Sequence, residues 1–228
     1  KEKNLIEDIE GYKEGLWWVQ DFSTMLPIYL LNNIRKKNVA DFCAAPGGKT
    51  FQLIIKGARV TSIEKNNTRY HLMKENLKRL NLKCNTVLKD VLTLNSRKKF
   101  DIIILDAPCS SVGTIRRNPE IFFRHKEPNF KKIKSLQQQL LNKAKNLLIK
   151  NGLIVYMVCS FLEEETGGII DEFLKKNKNF KLEKFSTKKS INAKSFVNDA
   201  GFYNILPNQR QNKTLVDGFF AAILKKND

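Results

Sequence analysis

Short apolar runs alternate along this chain with stretches whose apolar residues recur at helical spacing. Five of the runs predict β-strands, at residues 38–43, 59–64, 84–90, 100–106 and 152–159. Within them apolar and polar positions do not alternate strictly, which is typical of strands buried on both faces. Strands separated by helices predict an α/β fold, with a doubly wound and mostly parallel sheet covered by helices.

Two amphipathic helices are predicted between these strands, because apolar residues stand three and four positions apart in residues 70–80 and again in residues 130–147. Both helices should pack on the sheet with their apolar faces. A last apolar run at residues 218–224 predicts a further strand. Residues 180–204 are rich in lysine, and they are predicted to be irregular.

The N-terminal part of the chain has a weaker pattern. Residues 1–37 predict a partly helical lead-in that packs on the domain formed by residues 38–228. Trp17, Trp18 and Val19 are expected to cap the edge of the sheet.

The charge of the chain indicates its partner. Among 228 residues, 41 are Lys or Arg and 23 are Asp or Glu, which makes the net charge +18. Such an excess predicts a surface that meets nucleic acid. No run of about eighteen apolar residues and no signal peptide is found, so we expect a cytoplasmic protein without a membrane span. Residue 1 is Lys rather than Met, and we therefore expect an excerpt from a longer chain.

Cysteine usage argues against a metal site. The cysteines stand at positions 43, 84, 109 and 159, with no C-x-x-C pair among them. Together with only two histidines, His71 and His125, this inventory predicts no bound metal. A lone cysteine is usually a small core residue. Cys109 and Cys159 are different, because each follows a strand, and ligands of open parallel sheets bind beyond the strand ends.

Residues 41–50 predict a strand, a turn of small residues and the start of a helix. The glycines and alanines of the turn let backbone N–H groups approach an anionic ligand. A P-loop ending at Lys49 and Thr50 would need glycine where the chain has Cys43, and no G-x-G-x-x-G pattern is present. Hydrolysis of a nucleoside triphosphate is therefore disfavoured. A nucleoside-type cofactor with a carboxylate and a purely structural turn both stay open.

Carboxylates follow the next two strands. Glu64 stands about twenty residues after the turn, the offset at which an acidic residue binds ribose hydroxyls in doubly wound folds. Asp90 follows the third strand. Each could be a solvated strand-end residue, but their joint placement around one crevice favours a binding site. Arg69 could pair with a cofactor carboxylate or be a surface arginine at a helix start.

After the fourth strand, Asp106 stands three residues before Cys109, which predicts a carboxylate and a thiol at the floor of the crevice. Arg116 and Arg117 follow, and they suit contacts with RNA phosphates. Methyltransferases that act on amino groups of bases tend to have Asn or Asp before Pro-Pro and an aromatic residue at this point. That pattern is missing here.

Cys159 ends the fifth strand, where a basic crevice would favour its ionised and nucleophilic form. Cys43 and Cys84 lack such a setting. The glutamates at residues 163–165 are interpreted as charge at the start of the following helix, where acidic residues are favourable.

Together, these segments resemble the motifs of one family. Residues 41–50, 106–120 and 156–160 are similar, in order and spacing, to those of the Sun (Fmu, RsmB-type, NOL/NOP/Sun) family of RNA cytosine-5 methyltransferases. Residues 15–21 and 217–220 extend the resemblance over nearly the whole chain. The resemblance implies a Rossmann-like fold dependent on S-adenosyl-L-methionine, with a seven-stranded sheet.

The family pattern also implies roles for individual residues. Those implied to hold S-adenosyl-L-methionine are Cys43, Ala44, Ala45, Pro46, Gly47, Gly48, Lys49, Glu64, Arg69, Asp90 and Asp106. The attacking thiol is implied to be Cys159, and Cys109 is implied to assist product release. Because carbon 5 of cytosine is too weak a nucleophile on its own, we expect the Cys159 thiolate to add at carbon 6 while Asp106 hydrogen-bonds the base.

Two positions depart from the family pattern. Val158 stands where Thr is usual, and residues 166–168 are Thr-Gly-Gly where an Asn-Glu pair is common. Neither departure removes a reacting group, so we expect an active enzyme.

The expected substrate is a loop cytosine of a structured RNA, because the target base must be unstacked to enter the crevice. Ribosomal RNA is favoured since residues 116–119 look like the RsmB-type motif, and transfer RNA is the alternative. A non-catalytic RNA-binding or assembly protein would share the charge and the fold. The pair of Cys109 and Cys159 favours catalysis, and we expect a monomer.

Overall fold

The computed structural model describes residues 5–96, 98–123, 127–187, 191–211 and 214–228. The first four residues of the predicted lead-in and His125 lie outside these ranges. The α-helices are α1 (Phe22–Leu30), α2 (Gly48–Ile55), α3 (Asn67–Arg79), α4 (Phe130–Leu147) and α5 (Gly167–Lys176). The strands are β1 (Asn38–Phe42), β2 (Arg59–Glu64), β3 (Asn85–Leu88), β4 (Phe100–Asp106), β5 (Leu148–Val158), β6 (Phe180–Glu183), β7 (Tyr203–Ile205), β8 (Arg210–Gln211), β9 (Thr214–Leu215) and β10 (Phe219–Lys226). Short 3-10 helices lie at Ile6–Asp8, Val91–Thr93, Val112–Thr114, Pro119–Phe123, Glu163–Glu165 and Ile191–Phe196.

The main sheet has the strand order β3-β2-β1-β4-β5-β10-β6, and β7 adds an eighth strand beside β10. From β3 to β5 all neighbours are parallel. The strand β10 runs antiparallel to β5, β6 and β7. This arrangement confirms the doubly wound, mostly parallel sheet, with β7 in addition to the seven strands that were expected. The short strands β8 and β9 pair separately.

Helices cover both faces of the sheet. Ile103 of β4 packs in one core with Leu140 of α4 and Ile169 of α5. The next residue, Ile104, packs on the other face together with Leu53 of α2. Because consecutive residues of a strand point to opposite faces, burial on both sides explains why the central strands are continuously apolar.

The prediction that residues 180–204 are irregular is wrong in part, because β6 and the start of β7 lie there. Phe180 pairs with Lys226, and Tyr203 pairs with Ala221, so both strands are added to β10. Such short strands contain too few positions to show a periodic pattern. Burial of Phe180 and Tyr203 against the rest of the sheet stabilises them instead.

The expectation that the tryptophans cover a sheet edge is also wrong. Trp18 packs edge-to-face on Phe51 of α2, with ring centroids 5.7 Å apart. Trp17 donates its indole N–H to the carbonyl of Glu10, and Val19 is exposed. The sheet edges are β3 on one side and β6 with β7 on the other. Trp18 packs in the apolar cluster around Phe51, whereas Leu26 and Ile28 of α1 share a core with residues of the sheet such as Ile104.

The turn between β1 and α2 has an unusual backbone. Gly47 has a φ of +113°, and a Cβ at this position would lie 2.3 Å from the ring of Phe51. Only glycine fits such a position. Cys43 has a φ of +61°, which L residues rarely adopt. Together these residues form a sharp turn at the carboxyl end of β1.

Candidate active site

The strands β1, β2, β4 and β5 are parallel, so their carboxyl ends lie together at the same end of the sheet. Asp106, the last residue of β4, is paired with Met157 of β5, two residues before Cys159. The turn after β1 and Glu64 at the end of β2 lie at the same end of the sheet. Residues far apart in the sequence are thus brought to one crevice.

The two thiols singled out in the sequence face each other. Their Sγ atoms are 3.3 Å apart, with Cys109 on the loop after β4 and Cys159 at the end of β5. The hydroxyl of Ser111 lies 3.5 Å from the sulfur of Cys159 and 4.0 Å from that of Cys109. Gly113 donates its N–H to the carbonyl of Cys159, and a Cβ there would lie 2.1 Å from the carbonyl oxygen of Gly218. Glycine at position 113 therefore lets the three loops approach closely.

The contact between the sulfurs shifts their pKa values in opposite directions. The pKa of Cys109 is raised well above its usual value by its hydrogen bond to Cys159 and by burial. The pKa of Cys159 is lowered, chiefly because it accepts the hydrogen bond from Cys109. Burial and the charge of Asp106 oppose this lowering, while Ser111 and Lys49 add to it. Cys159 is consequently the thiol that ionises first.

Lys49 lies in the crevice beside Asp106 and Phe219. Its Nζ lies 2.7 Å from a carboxylate oxygen of Asp106 and 5.3 Å from the centroid of the Phe219 ring. The side chain of Lys49 is 11% exposed and that of Asp106 is 33% exposed, so the ion pair is only partly shielded from water. The sequence placed Lys49 only in the cofactor turn. The sequence predicted Lys49 and Asp106 at one crevice but did not predict the ion pair between them.

Cys43 behaves differently from Cys159. Burial raises the pKa of Cys43 to about 12, and the charges of Asp106 and Glu64 add to the rise. A thiol with such a pKa stays neutral at physiological pH. Cys43 is therefore suited to line the turn as a small residue and not to act as a nucleophile.

Glu64 and Arg69 both contact the turn. The carboxylate of Glu64 accepts the backbone N–H groups of Lys65 and Asn66 at 2.9 Å and that of Ala45 at 3.3 Å. Arg69 donates to the carbonyl of Ala45. These contacts hold the turn against the end of β2. Pairing of Arg69 with a cofactor carboxylate stays a prediction.

A small pocket lies beside the turn. It is lined by Cys43, Ile63, Glu64, Lys65, Arg69, Lys89, Asp90, Val91, Pro108, Leu136 and Leu140. One oxygen of Asp90 accepts the N–H of Leu92 at 2.9 Å, and the other lies 3.8 Å from Nζ of Lys65. Apolar walls with carboxylates at the rim fit an adenosine group, whose base packs on apolar side chains and whose hydroxyls donate hydrogen bonds.

Arg116 and Arg117 are engaged in ion pairs. Arg116 lies 2.9 Å from Asp21 and 2.9 Å from Asp217, and Arg117 pairs with the same Asp217. These pairs join the lead-in, the loop after β4 and the segment before β10. Both arginines remain partly exposed, and their contact with RNA phosphates stays a prediction. Asp21 and Asp217 were not identified individually from the sequence, although both fall in segments that resemble the family.

A buried carboxylate behind the turn was also missed. Asp41 of β1 is fully buried and accepts a 2.6 Å hydrogen bond from Thr50, whose oxygen is 2.8 Å from that of Ser62. Burial raises the pKa of Asp41 to about 7, which the hydrogen bond from Thr50 only partly offsets. Asp41 thus connects β1, α2 and β2. A polar residue in an otherwise apolar strand was the available signal.

The interpretation of residues 163–165 as helix-start charge is wrong for Glu165. Helix α5 begins at Gly167, and Glu165 is 1% exposed. Its carboxylate accepts hydrogen bonds from Ser110 and Ser160, the residues that follow the two thiols. No periodic or compositional signal distinguished Glu165 from its exposed neighbours Glu163 and Glu164.

Over the residues with described positions, no group of His, Cys, Asp and Glu side chains is arranged to hold a metal ion. In the same part of the chain, no helix is both long enough and apolar enough to cross a membrane.

The chain is similar to proteins of known family. A family model described as "16S rRNA methyltransferase RsmB/F" matches residues 28–225. Ribosomal RNA small subunit methyltransferase B of Photorhabdus laumondii is 35% identical over 228 residues, covering 96% of this chain and 49% of that protein. A probable ribosomal RNA small subunit methyltransferase B of Coxiella burnetii is 32% identical, over 97% of this chain and 51% of that protein. The chain spans about half the length of these curated relatives.

Solved structures show the same fold. NSun6 from Pyrococcus horikoshii, determined with the S-adenosylmethionine analogue SFG, superposes with a TM-score of 0.83 at 26% identity, over 99% of this chain and 57% of that chain. A methyltransferase homologue from Pyrococcus horikoshii superposes with a TM-score of 0.75 at 27% identity, over 99% of this chain and 73% of that chain. The Rossmann-like methyltransferase fold implied by the resemblance is thereby confirmed. With a family match from residue 28 to residue 225, the chain belongs to the RsmB/F family of S-adenosylmethionine-dependent 16S rRNA methyltransferases.

Proposed function

We propose that the protein methylates carbon 5 of a cytosine in small-subunit ribosomal RNA, through a transient covalent bond between Cys159 and the base. The observation that carries this proposal is the pair of sulfurs 3.3 Å apart, of which only Cys159 has a lowered pKa. One thiol ready to ionise and a second thiol held protonated suit a reaction in which a covalent bond is made and then broken.

Cys159 supplies the nucleophile. Carbon 5 of cytosine does not attack a methyl donor unaided, so the thiolate first forms a bond to carbon 6, and the electron pair of the ring double bond becomes available at carbon 5. When bound, S-adenosyl-L-methionine supplies the methyl group that carbon 5 receives. Loss of the proton from carbon 5 to a base then restores the double bond and expels the Cys159 thiolate.

Asp106 orients the base. Its carboxylate lies at the end of β4 and accepts a hydrogen bond from the amino edge of the cytosine. Lys49, 2.7 Å away, holds this carboxylate in place, and its charge also favours the thiolate of Cys159. An ion pair that is already in place beside the reacting atoms stabilises developing charge without reorganisation.

Cys109 assists release of the product. When Cys159 is a thiolate, the S–H group of Cys109 is the donor in the contact between the two sulfurs, and this hydrogen bond stabilises the thiolate that leaves carbon 6. A protonated Cys109 is required for this step, which agrees with the raised pKa of Cys109.

The pocket beside the turn is where we place the cofactor. Glu64 would accept hydrogen bonds from the ribose hydroxyls. Asp90 lies at the rim of the pocket, near where the adenine base would bind, and Asp106 lies toward the reacting atoms. The remaining residues assigned to the cofactor are those of the turn, namely Cys43, Ala44, Ala45, Pro46, Gly47, Gly48 and Lys49, together with Arg69.

The net charge of +18 supports RNA as the substrate. Unstacking the target base costs a few kcal/mol, and less in a loop, so a loop cytosine is the expected target. The names of the relatives favour small-subunit ribosomal RNA over transfer RNA. We place the activity in the cytoplasm, where this RNA is assembled into ribosomes, and on a monomer, since every residue assigned a role lies on one chain.

The test uses tritiated S-adenosyl-L-methionine with small-subunit ribosomal RNA and with transfer RNA. We expect label in the ribosomal RNA, recovered as 5-methylcytidine after digestion to nucleosides. Preferential labelling of transfer RNA would show that transfer RNA, and not ribosomal RNA, is the substrate. Label on an amino nitrogen would overturn the mechanism, and binding of RNA without any methyl transfer would favour a non-catalytic RNA-binding protein.

A further inference from the structure

One buried carboxylate connects the two loops that carry the sulfurs. Glu165 accepts the backbone N–H of Ser110 at 2.7 Å and the Ser110 hydroxyl at 2.6 Å. It also accepts the hydroxyl of Ser160 at 2.5 Å. Ser110 directly follows Cys109, and Ser160 directly follows Cys159. A single side chain therefore restrains both cysteines from the adjacent residue.

Glu165 is itself held firmly. Its backbone carbonyl accepts the hydroxyl of the buried Tyr156, at 2.8 Å, and its N–H donates to the carbonyl of Leu162 at 3.0 Å. The N–H of Leu162 in turn donates to the hydroxyl of Ser160 at 3.2 Å. With three donors around a carboxylate that is 1% exposed, burial of the charge is compensated, and removing the carboxylate would leave the donors unpaired.

The setting of Glu165 differs from that of the glutamates beside it. Glu163 and Glu164 are exposed, as expected for charge near the start of a helix. Only Glu165 points inward, toward the loop after β4, which is 55 residues away in the chain. A glutamate that only places charge near a helix start can point into solvent. A glutamate that aligns the two cysteine loops has to point inward, as Glu165 does.

We propose that Glu165 is a positioning residue, which holds Cys109 and Cys159 at the separation where one sulfur donates a hydrogen bond to the other. Its consequence for catalysis rests on the proposed function, but the geometric role does not. The negative charge of Glu165 also adds to the rise in the pKa of Cys109 that the hydrogen bond to Cys159 and burial cause. Glu165 thus helps to keep the proton on Cys109.

The first experiment measures the relative position of the sulfurs without RNA or cofactor. Diamide takes up two electrons and two protons as two thiols join in a disulfide, and the sulfurs, 3.3 Å apart, need only a small movement to reach the bonded distance of about 2.05 Å. The rate of the Cys109–Cys159 linkage is followed by peptide mass spectrometry in the full chain, for the wild type and the variants Glu165→Gln and Glu165→Ala. The matched control is Glu164→Gln, which removes the neighbouring exposed charge.

We expect the linkage to form about 10-fold more slowly in Glu165→Ala, because freed loops bring the sulfurs together less often. Glu165→Gln should lie between this variant and the wild type, since one amide oxygen still accepts hydrogen bonds. Glu164→Gln should match the wild type. Linkage at the wild-type rate in both folded Glu165 variants would overturn the proposal.

The second experiment measures methyl transfer. In Glu165→Ala we expect kcat to fall about 100-fold, with KM for RNA within about threefold, because misplaced reacting groups slow the chemical step more than binding. A fall in RNA affinity with unchanged kcat would overturn the assignment.

Failure of Glu165 variants to fold is covered by Ser160→Ala, which removes one arm of the contact and should slow both linkage and kcat by up to about 10-fold. If Ser160→Ala leaves both rates unchanged, the proposal is wrong. Should the wild type methylate no RNA while the Glu165 variants slow the linkage, the proposed function fails and the positioning role stands.

Discussion

Cys43 follows β1 and Cys159 follows β5, two parallel strands separated in the sheet only by β4. Both thiols are half-buried, and the charge of Asp106 opposes ionisation of either one. The pKa of Cys43 is nevertheless raised to about 12, whereas that of Cys159 is lowered. The difference lies in the hydrogen bonds: those with Cys109 and Ser111 lower the pKa of Cys159, and no hydrogen bond is among the causes that shift the pKa of Cys43. Position at a strand end therefore does not make a thiol reactive, and a second loop with hydrogen-bond donors does.

Replacing each thiol in turn tests this comparison most severely. In Cys159→Ala we expect methyl transfer to fall by at least about 10⁴-fold, because no group remains to add to the base. Cys43→Ala should still transfer methyl groups to RNA, since a thiol with a pKa of about 12 is not the nucleophile. Transfer of tritium to RNA measures both outcomes. Methylation that survives Cys159→Ala would contradict the mechanism.

Removing the donor thiol should separate bond formation from bond breaking. We expect Cys109→Ala to accumulate a covalent protein–RNA adduct while turnover falls by about 100-fold, because the S–H group that stabilises the leaving thiolate is gone. A denaturing gel with labelled RNA detects the adduct. Continued turnover without an adduct would reverse the roles of the two cysteines.

Replacing Lys49 tests the contribution of its charge to the lowered pKa of Cys159. Its charge lowers the pKa of Cys159, so Lys49→Ala should raise that pKa and shift the pH dependence of Cys159 alkylation to higher pH. The rate of reaction with iodoacetamide between pH 6 and pH 10, resolved by peptide mass spectrometry, measures the shift. Lys65→Ala is the matched control, because Lys65 lowers the pKa of Cys43 instead. Equal shifts in both variants would indicate a general loss of positive charge.

The buried Asp41, two residues before Cys43 in the chain, makes the stability of the folded protein depend on pH. Its pKa is raised to about 7 in the folded state, so the folded protein binds this proton more tightly than the unfolded chain does. Stability from this group is therefore complete at low pH and is lost as the pH rises toward 7. Between pH 5 and pH 7 the expected loss is about 2 kcal/mol.

Urea unfolding at pH 5, 6 and 7 measures this contribution as a difference between the wild type and Asp41→Asn. The neutral amide cannot titrate, so the variant should show a shallower dependence of unfolding free energy on pH. Parallel dependences in the two proteins would show that Asp41 stays ionised in the folded state.

The apolar pattern predicted the central strands well and the short ones poorly. The predicted bounds of β2 and β4 match the structure, because long buried runs are distinctive. In contrast, β6 and β7 were missed, since three or four residues carry little pattern and depend on pairing with β10. Trp17 and Trp18 were expected at a sheet edge but pack near α2, because an apolar side chain can be buried on any apolar surface within reach.

For the site, the types and order of residues along the chain determined the candidates and the family. Strand-end carboxylates and thiols can be read from one sequence, because parallel strands bring their ends to one edge whatever the details of packing. The partner of each side chain was decided only by the tertiary structure. Lys49 forms an ion pair with Asp106, the arginines pair with Asp217, and Glu165 accepts hydrogen bonds from the residues that follow the two cysteines. Such contacts join residues tens of positions apart, and the periodic pattern of apolar and polar residues along the chain carries no information about them.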